Sequence, residues 1–396
     1  MNKLNNPRSL GMRTLAVHAG QQPDPQTGSI TTPITAASAF AYDDFDSGAK
    51  RFSGEEPGYI YSRFANPTVS VFEKKIAALE GGEASVACAS GMAAISAILF
   101  ALLVPGDEII HIGTLYGGTE GVIRNLLPRY GIKPVHVAST ADLAGALTDK
   151  TKMVFVETPA NPGLDIADLR EIARISKQAG VISVADNTFA TPYLTRPLEL
   201  GIDIVLHSAT KYIGGHGDAT GGVVVASQAL ITPIRTLSLK QFGGCLSPFE
   251  ANLLIRGLKT MPLRVEASCV SAMHIAEMLN AHPAVDKVFY PGLSSHPGHD
   301  IAKQQMRLFG GIMAIELRGG RAAARTFLDK LTLITQAVSV GDTDSLACHP
   351  ASTTHSAVPE AVRLESGITE GLVRISIGIE DAEDLIIDLQ QALEGL

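Results

Sequence analysis

Basic clusters and paired cysteines are both missing from this sequence, and each absence excludes a class of protein. Charged residues make up 18% of the 396 residues, the formal net charge is −8, and no stretch is rich in lysine or arginine. A surface for nucleic acid or for an anionic membrane is therefore not expected. The four cysteines lie far apart and form no CxxC pair: Cys88, Cys245, Cys269 and Cys348. We expect reduced, mostly structural thiols, with no disulfide and no metal site.

Long apolar runs are also missing. The first twenty residues, MNKLNNPRSLGMRTLAVHAG, contain no apolar core of the signal-peptide type. The longest apolar run, residues 92–104, contains Ser96 and is shorter than the roughly 20 residues that a membrane-spanning helix needs. We expect this run to form a buried helix and the protein to be cytoplasmic, without a membrane partner.

Nucleotide-binding motifs are the third absence. The chain contains neither a GxGxxG turn nor a P-loop. A dinucleotide-dependent oxidoreductase and a nucleotide hydrolase are therefore poor explanations of its function.

Short apolar segments alternate with helical patterns in the first two thirds of the chain. Seven segments are predicted to be strands: residues 84–87, 108–112, 133–137, 152–156, 181–185, 202–206 and 223–226. Nearly continuous apolar strands are typical of a parallel sheet that helices cover on both faces. Residues 119–130 and 166–180 are predicted to be two of these helices.

The two ends of the chain have different sequence patterns. The first sixty residues are rich in proline, threonine, glycine and aspartate, which indicates an irregular arm that packs on another surface, such as a neighbouring subunit. After Pro248 the pattern changes to long amphipathic helices, followed by strand patterns at residues 311–319 and 372–380. We predict an arm at residues 1–60, a large domain at 61–255 and a smaller C-terminal domain at 256–396.

Residues that could bind a ligand follow several predicted strands, where ligands of open α/β sheets bind. They are Ser90, Gly91 and Met92 after the first strand, Glu157 and Asn161 after the fourth, Asp186 after the fifth, and Ser208, Thr210 and Lys211 after the sixth. Taken singly, each has an ordinary structural explanation as a turn or a cap. Together, a helix N-terminus for a phosphate, a deep carboxylate for a ring nitrogen and a lysine for an aldehyde match pyridoxal phosphate.

Eight motifs make the chain similar to the family of pyridoxal-phosphate enzymes of cysteine and methionine metabolism, the trans-sulfuration enzymes. In chain order they are YSRFANPT, ACASGMAA, LYGGT, ETPANP, VADNTFATPYL, HSATKYIGGHGD, VSVGDTDSLACHPASTTH and GLVRISIGIED. The resemblance covers nearly the whole chain. It implies an α/β fold of the fold-type I, aminotransferase-like class, with a mostly parallel central sheet and a smaller C-terminal α/β domain. It also implies a homotetramer built from two catalytic dimers.

The resemblance assigns catalytic roles to three residues. Lys211 would carry the cofactor covalently, Asp186 would pair with the ring nitrogen, and Tyr116 would stack on the ring and protonate the leaving group. Further cofactor contacts would come from Gly91, Met92, Asn161, Ser208 and Thr210, and from Tyr61 and Arg63, which would reach the phosphate of the neighbouring subunit.

The resemblance also implies a substrate site. Arg374, helped by Ser339, would hold the carboxylate of a small sulfur-containing amino acid. A non-catalytic relative kept as a binding protein would be expected to have lost Lys211, Asp186 or Arg374. All three are present, which favours an enzyme.

Position 338 distinguishes activities within this family. Relatives that act on cystathionine typically have a glutamate there, whereas Val338 offers an apolar wall suited to a thioether methyl group. The sequence therefore predicts γ-elimination from methionine or homocysteine, which yields 2-oxobutanoate, ammonia and a thiol. Gly118 and Gln241 stand where methionine-cleaving relatives commonly have cysteine and aspartate. Sulfhydrylation of O-acetyl- or O-succinylhomoserine, and cystathionine γ-cleavage or synthesis, therefore stay open.

Overall fold

Two β-sheets organise the computed structural model, which describes residues 10–356, 358 and 360–396. The first sheet contains β1 Ala84–Cys88, β2 Glu108–Ile112, β3 Lys133–Val137, β4 Thr151–Glu157, β5 Ile182–Asp186, β6 Ile204–Ser208 and β7 Gly222–Ala226. Its strand order is β1-β7-β6-β5-β4-β2-β3. The five strands from β2 to β6 pair in parallel, so the predicted mostly parallel sheet is confirmed.

Strand β7 departs from the parallel arrangement. It pairs antiparallel with both β6 and β1. The connection from Ser208 to Gly222 contains no helix, so the chain is not carried back to the other end of the sheet before it pairs again. This hairpin-like return keeps the segment after β6, which includes Lys211, at the carboxyl edge of the parallel strands.

Helices cover both faces of the first sheet. Those within this region are α3 Pro67–Glu80, α4 Gly91–Leu102, α5 Gly117–Gly121, α6 Leu143–Ala146, α7 Leu169–Ala179, α8 Thr191–Leu194 and α9 Gln228–Arg235. The predicted helix at 119–130 is helical but not one α-helix, because it continues from α5 as a π-turn at Val122–Leu126 and a 3-10 turn at Leu127–Tyr130. Pro128 lacks the N–H that an α-helix would need there. Other single turns lie at Thr140–Asp142, Pro197–Leu200, Thr236–Gln241 and Pro350–Ser352.

The N-terminal region is less irregular than predicted. Residues 1–9 of the expected arm lie outside the described part of the chain, but two helices follow, α1 Met12–His18 and α2 Phe45–Ser53. The buried amine of Lys75 donates hydrogen bonds of 3.0 Å to the carbonyl oxygens of Ala16 and Val17. These bonds tie α1 to helix α3 of the same chain, so the arm begins on its own subunit.

The second sheet lies in the C-terminal part of the chain. Its strands are β8 Val285–Phe289, β9 Ile312–Leu317, β10 Thr335–Gln336, β11 Leu346–Cys348 and β12 Leu372–Ser376, in the order β10-β11-β12-β9-β8. Its helices are α11 His299–Gln305, α12 Gly320–Lys330, α13 Glu360–Glu365 and α14 Ala382–Leu393. A separate apolar cluster joins this sheet to α12 and α14.

One long helix connects the two sheets. Helix α10 spans Pro248–Asn280 and is capped at its start by the Ser247 side chain. Its first two thirds contribute Leu254, Leu258 and Val265 to the core of the first sheet, and its last turns contribute Ile275 to the core of the second. The predicted boundary at residue 255 falls inside this helix, and the division into domains stays a prediction. Across residues 10–356, 358 and 360–396, no helix has both the length and the apolar character that crossing a bilayer requires.

Candidate active site

A cavity of about 320 Å³ lies where β4, β5 and β6 end. The residues predicted from the sequence that line it are Gly91, Met92, Tyr116, Asn161, Asp186, Ser208, Thr210, Lys211, Val338 and Arg374. The lining also includes Ser90, Ile95, Glu157, Thr188, Phe189, Thr220, Val340 and Thr354. Ser339, the remaining residue of the predicted substrate site, contacts Lys211 directly. Both sheets therefore contribute to one site.

Lys211 reaches this cavity from the turn after β6. Its backbone N–H donates to the carbonyl of Ser208 at 3.2 Å, and its side-chain amine donates to the Ser339 hydroxyl at 3.2 Å. Burial lowers the pKa of Lys211, and the positive charge of Arg374 lowers it further, while Asp342 acts in the opposite direction. A larger fraction of this amine is therefore neutral, and able to accept a proton, than for a lysine in water.

Asp186 is the last residue of β5 and is almost completely buried. Its Oδ1 accepts hydrogen bonds from the backbone N–H of Thr188, at 3.0 Å, and from the Thr188 hydroxyl. Its Oδ2 makes no hydrogen bond within the described residues. Burial raises the pKa of Asp186, although the Thr188 hydrogen bonds oppose this effect. A cationic group in the cavity would restore the charged carboxylate.

The start of helix α4 comes unusually close to the end of β6. The Ser90 side chain caps this helix by accepting from the N–H of Ala93 at 3.1 Å. A Cβ atom on Gly91 would lie only 2.9 Å from the Cβ of Ser208, and one on Gly222 would lie 2.1 Å from the carbonyl oxygen of Ser90. Glycine at both positions therefore lets the first-turn N–H groups of α4 and the Ser208 hydroxyl face one space, where an anion would find donors.

Glu157 supports the cavity in a way that sequence reasoning missed. Its two carboxylate oxygens accept hydrogen bonds from the backbone N–H groups of Tyr116, at 2.8 Å, and Asn161, at 2.9 Å. Burial raises the pKa of Glu157, and the neighbouring Asp186 raises it further. The motif ETPANP placed this residue at a strand end but gave no sign that it would hold two loops in place.

The ring of Tyr116 lies at the mouth of the cavity and is 45% exposed. A Cβ atom on Gly118 would lie 2.6 Å from this ring and 2.8 Å from the sulfur of Met92. Tyr116 therefore occupies a position that a larger residue at 118 would force it to leave. The departure from the family pattern at Gly118 thus affects the placement of Tyr116.

Arg374 brings the second sheet to the cavity from strand β12, where it is 3% exposed. Its guanidinium donates to the Asn161 side-chain oxygen at 2.8 Å, and to the carbonyl oxygens of Val338 at 3.0 Å and Ser339 at 3.3 Å. These acceptors are all neutral, and no carboxylate forms an ion pair with Arg374 within the described residues. Its charge is therefore available to an anionic ligand.

Tyr61 and Arg63 are not brought to this cavity. The Arg63 guanidinium donates to the carbonyl oxygens of Leu239, at 3.2 Å, and Lys240, and it lies 4.7 Å from the centre of the Phe64 ring. Within one chain, neither Tyr61 nor Arg63 therefore contacts Lys211.

Gln241, at the end of the turn that follows α9, is exposed.

Comparisons with known proteins agree on the family. A model described as Cys/Met metabolism PLP-dependent enzyme matches residues 13–394. L-methionine gamma-lyase of Pseudomonas putida is 47% identical over 388 residues, which cover 97% of this chain and 98% of that protein. Cystathionine beta-lyase of Coxiella burnetii is 45% identical over 394 residues, with coverage of 98% and 99%.

A solved structure extends the agreement to three dimensions. The crystal structure of metB from Corynebacterium glutamicum has a TM-score of 0.92 and 41% identity to this chain, covering 98% of this chain and 99% of that one. A match of this extent, together with a site that gathers Lys211, Asp186 and Arg374, leads to one conclusion. The chain belongs to the Cys/Met metabolism family of PLP-dependent enzymes.

Proposed function

We propose that the enzyme catalyses γ-elimination of L-methionine or L-homocysteine, with release of 2-oxobutanoate, ammonia and a thiol. The observation that carries this proposal is the position of Val338. Its carbonyl oxygen accepts from Arg374, and its side chain lines the same cavity and is 57% exposed. An apolar wall thus lies beside the guanidinium that would hold the substrate carboxylate, which suits a thioether. The 47% identity to a protein named L-methionine gamma-lyase supports the same choice.

The residues present fit pyridoxal phosphate. The free Oδ2 of buried Asp186 suits a protonated ring nitrogen, and the donors at the start of α4 suit a phosphate. When bound, the cofactor supplies an electron sink for the carbanion at the substrate Cα. We assign its contacts to the N–H groups of Gly91 and Met92, the hydroxyls of Ser208 and Thr210, the ring of Tyr116, the amide of Asn161, the carboxylate of Asp186 and the amine of Lys211.

Asn161 connects cofactor binding to substrate binding. Its side-chain oxygen already accepts from Arg374, so its Nδ2 is left to donate to the phenolic oxygen of the cofactor. Arg374 would hold the substrate carboxylate with two parallel hydrogen bonds, and Ser339 lies between it and Lys211. The substrate Cα is thereby placed beside the Lys211 amine.

Lys211 and Tyr116 divide the proton transfers. Because burial and Arg374 lower the pKa of Lys211, its amine could accept the proton from Cα of the substrate, would pass it on to the cofactor, and could then accept a proton from Cβ. The Tyr116 hydroxyl donates a proton to the sulfur as the Cγ–S bond breaks, so the leaving group departs as a neutral thiol. Glu157 keeps Tyr116 in place through its backbone N–H.

A second copy of the chain is part of this proposal. Several large apolar side chains of the N-terminal region are exposed: Ile30, Tyr42, Phe45 and Phe52. An interface with another chain could cover such side chains. We propose that Tyr61 and Arg63, which follow this region, complete the active site of a neighbouring subunit. The homotetramer and the cytoplasmic location also stay predictions.

Mixing two inactive variants tests the shared site. Arg63→Ala and Lys211→Ala are each expected to be inactive alone, because one lacks a phosphate ligand and the other lacks the proton acceptor. After subunit exchange, hybrid dimers would contain one site with both residues intact, so activity should return to about one quarter of the wild-type value. If native mass spectrometry shows exchange and no activity returns, each site is complete within one chain.

Substitution at position 338 tests the substrate. Val338→Glu is expected to shift the ratio of kcat/KM for cystathionine to kcat/KM for methionine upward by about ten-fold, because a carboxylate would pair with the distal ammonium of cystathionine. Val338→Gln is the matched control, since it is polar and similar in size but uncharged. The measurement is 2-oxo acid release from methionine, homocysteine and cystathionine.

The substrate preference of the unmodified enzyme distinguishes γ-elimination of methionine or homocysteine from the alternative activities. It should cleave methionine or homocysteine clearly better than cystathionine, whose distal end would lose solvation beside Val338 without gaining a partner. Better cleavage of cystathionine would overturn the γ-elimination of methionine and homocysteine as the main activity. Homocysteine formation from O-acetylhomoserine and sulfide, if faster than any elimination, would favour the sulfhydrylase activity instead.

A further inference from the structure

Two of the four cysteines face each other although they are far apart in the chain. Cys88, the last residue of β1, forms an isolated antiparallel bridge with Cys245. The N–H of Ala89 donates to the carbonyl oxygen of Gly244 at 2.9 Å, which makes the two cysteines a non-hydrogen-bonded pair. The Cα atoms of such a pair are about 4.5 Å apart, with both side chains on the same face. This distance lies within the range of about 4.4–6.8 Å that disulfides span.

The environments of the two thiols differ. Both are free cysteines, but Cys88 is completely buried whereas Cys245 is partly exposed. Burial, followed by the charge of Glu73, raises the pKa of Cys88 to about 12. An oxidant in solution therefore meets Cys245 first, and Cys88 is placed to react with what forms there.

We propose that Cys88 and Cys245 form a reversible intrachain disulfide when the protein is exposed to a peroxide. The peroxide oxygen is transferred to the Cys245 sulfur, which becomes a sulfenic acid, and one water leaves. The Cys88 sulfur then attacks the Cys245 sulfur, the S–O bond breaks, and the hydroxyl group leaves as a second water with the Cys88 proton. The two sulfurs lose two electrons in total, which hydrogen peroxide takes up. A dithiol reductant reverses the reaction.

The disulfide would affect the segment that leads into helix α4. Cys88 is followed directly by Ala89 and by Ser90, which caps helix α4 beside the cavity. Cys245 lies in the loop before α10, and the carbonyl oxygen of its neighbour Gly244 already accepts a hydrogen bond from Ala89. The disulfide would thus tie the segment that leads into the start of α4 to a second loop. This inference does not depend on which substrate the enzyme cleaves.

Peptide mapping of the oxidised holoenzyme tests the proposal. After treatment with hydrogen peroxide, free thiols are alkylated in denaturant and the protein is digested. We expect the peptides of Cys88 and Cys245 to be joined, lighter than their sum by two hydrogen atoms, and to separate after dithiothreitol. The buried Cys269 and Cys348 should be alkylated to the same extent with and without peroxide. Cys245→Ser should abolish the linkage and leave Cys88 fully alkylated.

Two results would overturn the proposal. One is recovery of Cys245 as a sulfinic acid while Cys88 is fully alkylated. The other is a linkage that forms only when peroxide is added to denatured protein, because the native bridge would then have no part in it. Circular dichroism of the treated and untreated holoenzyme distinguishes the native reaction from that of unfolded chains.

Discussion

Replacement of Lys211 with alanine should reduce kcat/KM by about 10³-fold or more, because it removes the amine that attaches the cofactor and accepts protons from the substrate. The variant should still bind the cofactor without a covalent bond, since the donors around Gly91 and Ser208 are unchanged. The matched control is Lys152→Ala, which removes an exposed lysine from strand β4 and should leave activity unchanged. Steady-state release of 2-oxo acid measures the effect.

Borohydride reduction provides a second measurement for the same residue. In the wild-type holoenzyme it should fix the mass of the cofactor on the peptide that contains Lys211, and in Lys211→Ala no peptide should carry it. Fixation on another lysine would show that the assignment of Lys211 is wrong. Loss of activity together with loss of fold, detected by circular dichroism, would show only that the variant is misfolded.

Replacement of Arg374 with alanine should raise KM for methionine by about 10²-fold, which corresponds to loss of a buried, two-point contact with a carboxylate. The KM of Arg374→Lys should lie between those of wild type and Arg374→Ala, because lysine keeps the charge but not the paired donors. Arg318→Ala is the control, since Arg318 is exposed and pairs with Asp286 at the surface. Initial rates at varied methionine concentration measure the effect.

Arg374 also joins Asn161 to Val338 and Ser339, so its removal should lower stability as well. A substrate test separates the two roles. Binding of the amine that lacks only the carboxylate of methionine should be equally weak in wild type and Arg374→Ala. If the variant binds methionine as wild type does, while thermal unfolding shifts to lower temperature, Arg374 has a structural role only.

The strands of the first sheet could be predicted because their signal is local. β2 and β3 lie at the predicted residues 108–112 and 133–137, since turn residues bound both of them. β6 instead begins two residues later than predicted, at Ile204. Its extent follows from pairing with β7, in which Ser208 lies opposite Gly222, and pairing across the sheet leaves no mark in a short segment.

The helices of the arm could not be predicted in the same way. α2 has a capping Asp44 and a terminal Gly54 in the left-handed conformation, but these signals lie within a polar, proline-rich segment whose composition predicts no helix. α1 is held by hydrogen bonds that the side-chain amine of Lys75 donates to its carbonyl oxygens. A buried lysine that binds the end of a distant helix is a tertiary interaction, which local sequence does not report.

In the candidate site, too, some residues could be predicted from the local sequence and others depend on tertiary contacts. Asp186 and Lys211 were predictable because strand ends place them at one edge of the sheet, and the resemblance to the family supplied the remaining residues. The support from Glu157 and Thr188 is visible only in the structure. Glu157 accepts from the backbone N–H groups of Tyr116 and Asn161, and the Thr188 hydroxyl accepts from the N–H of Ser208. The roles of Tyr61 and Arg63 stay predictions, because a neighbouring subunit would have to complete their contacts.

Helix α10 has a consequence for the way the enzyme fails. Its early turns pack in one apolar core and its late turns in the other. Neither core can therefore unfold without removing contacts that hold the helix in the other core. A fragment that ends at residue 255 would leave the partners of Leu258 and Val265 exposed to water. Heat should therefore inactivate the enzyme in a single cooperative transition, in which the segments that contain Lys211 and Arg374 unfold together.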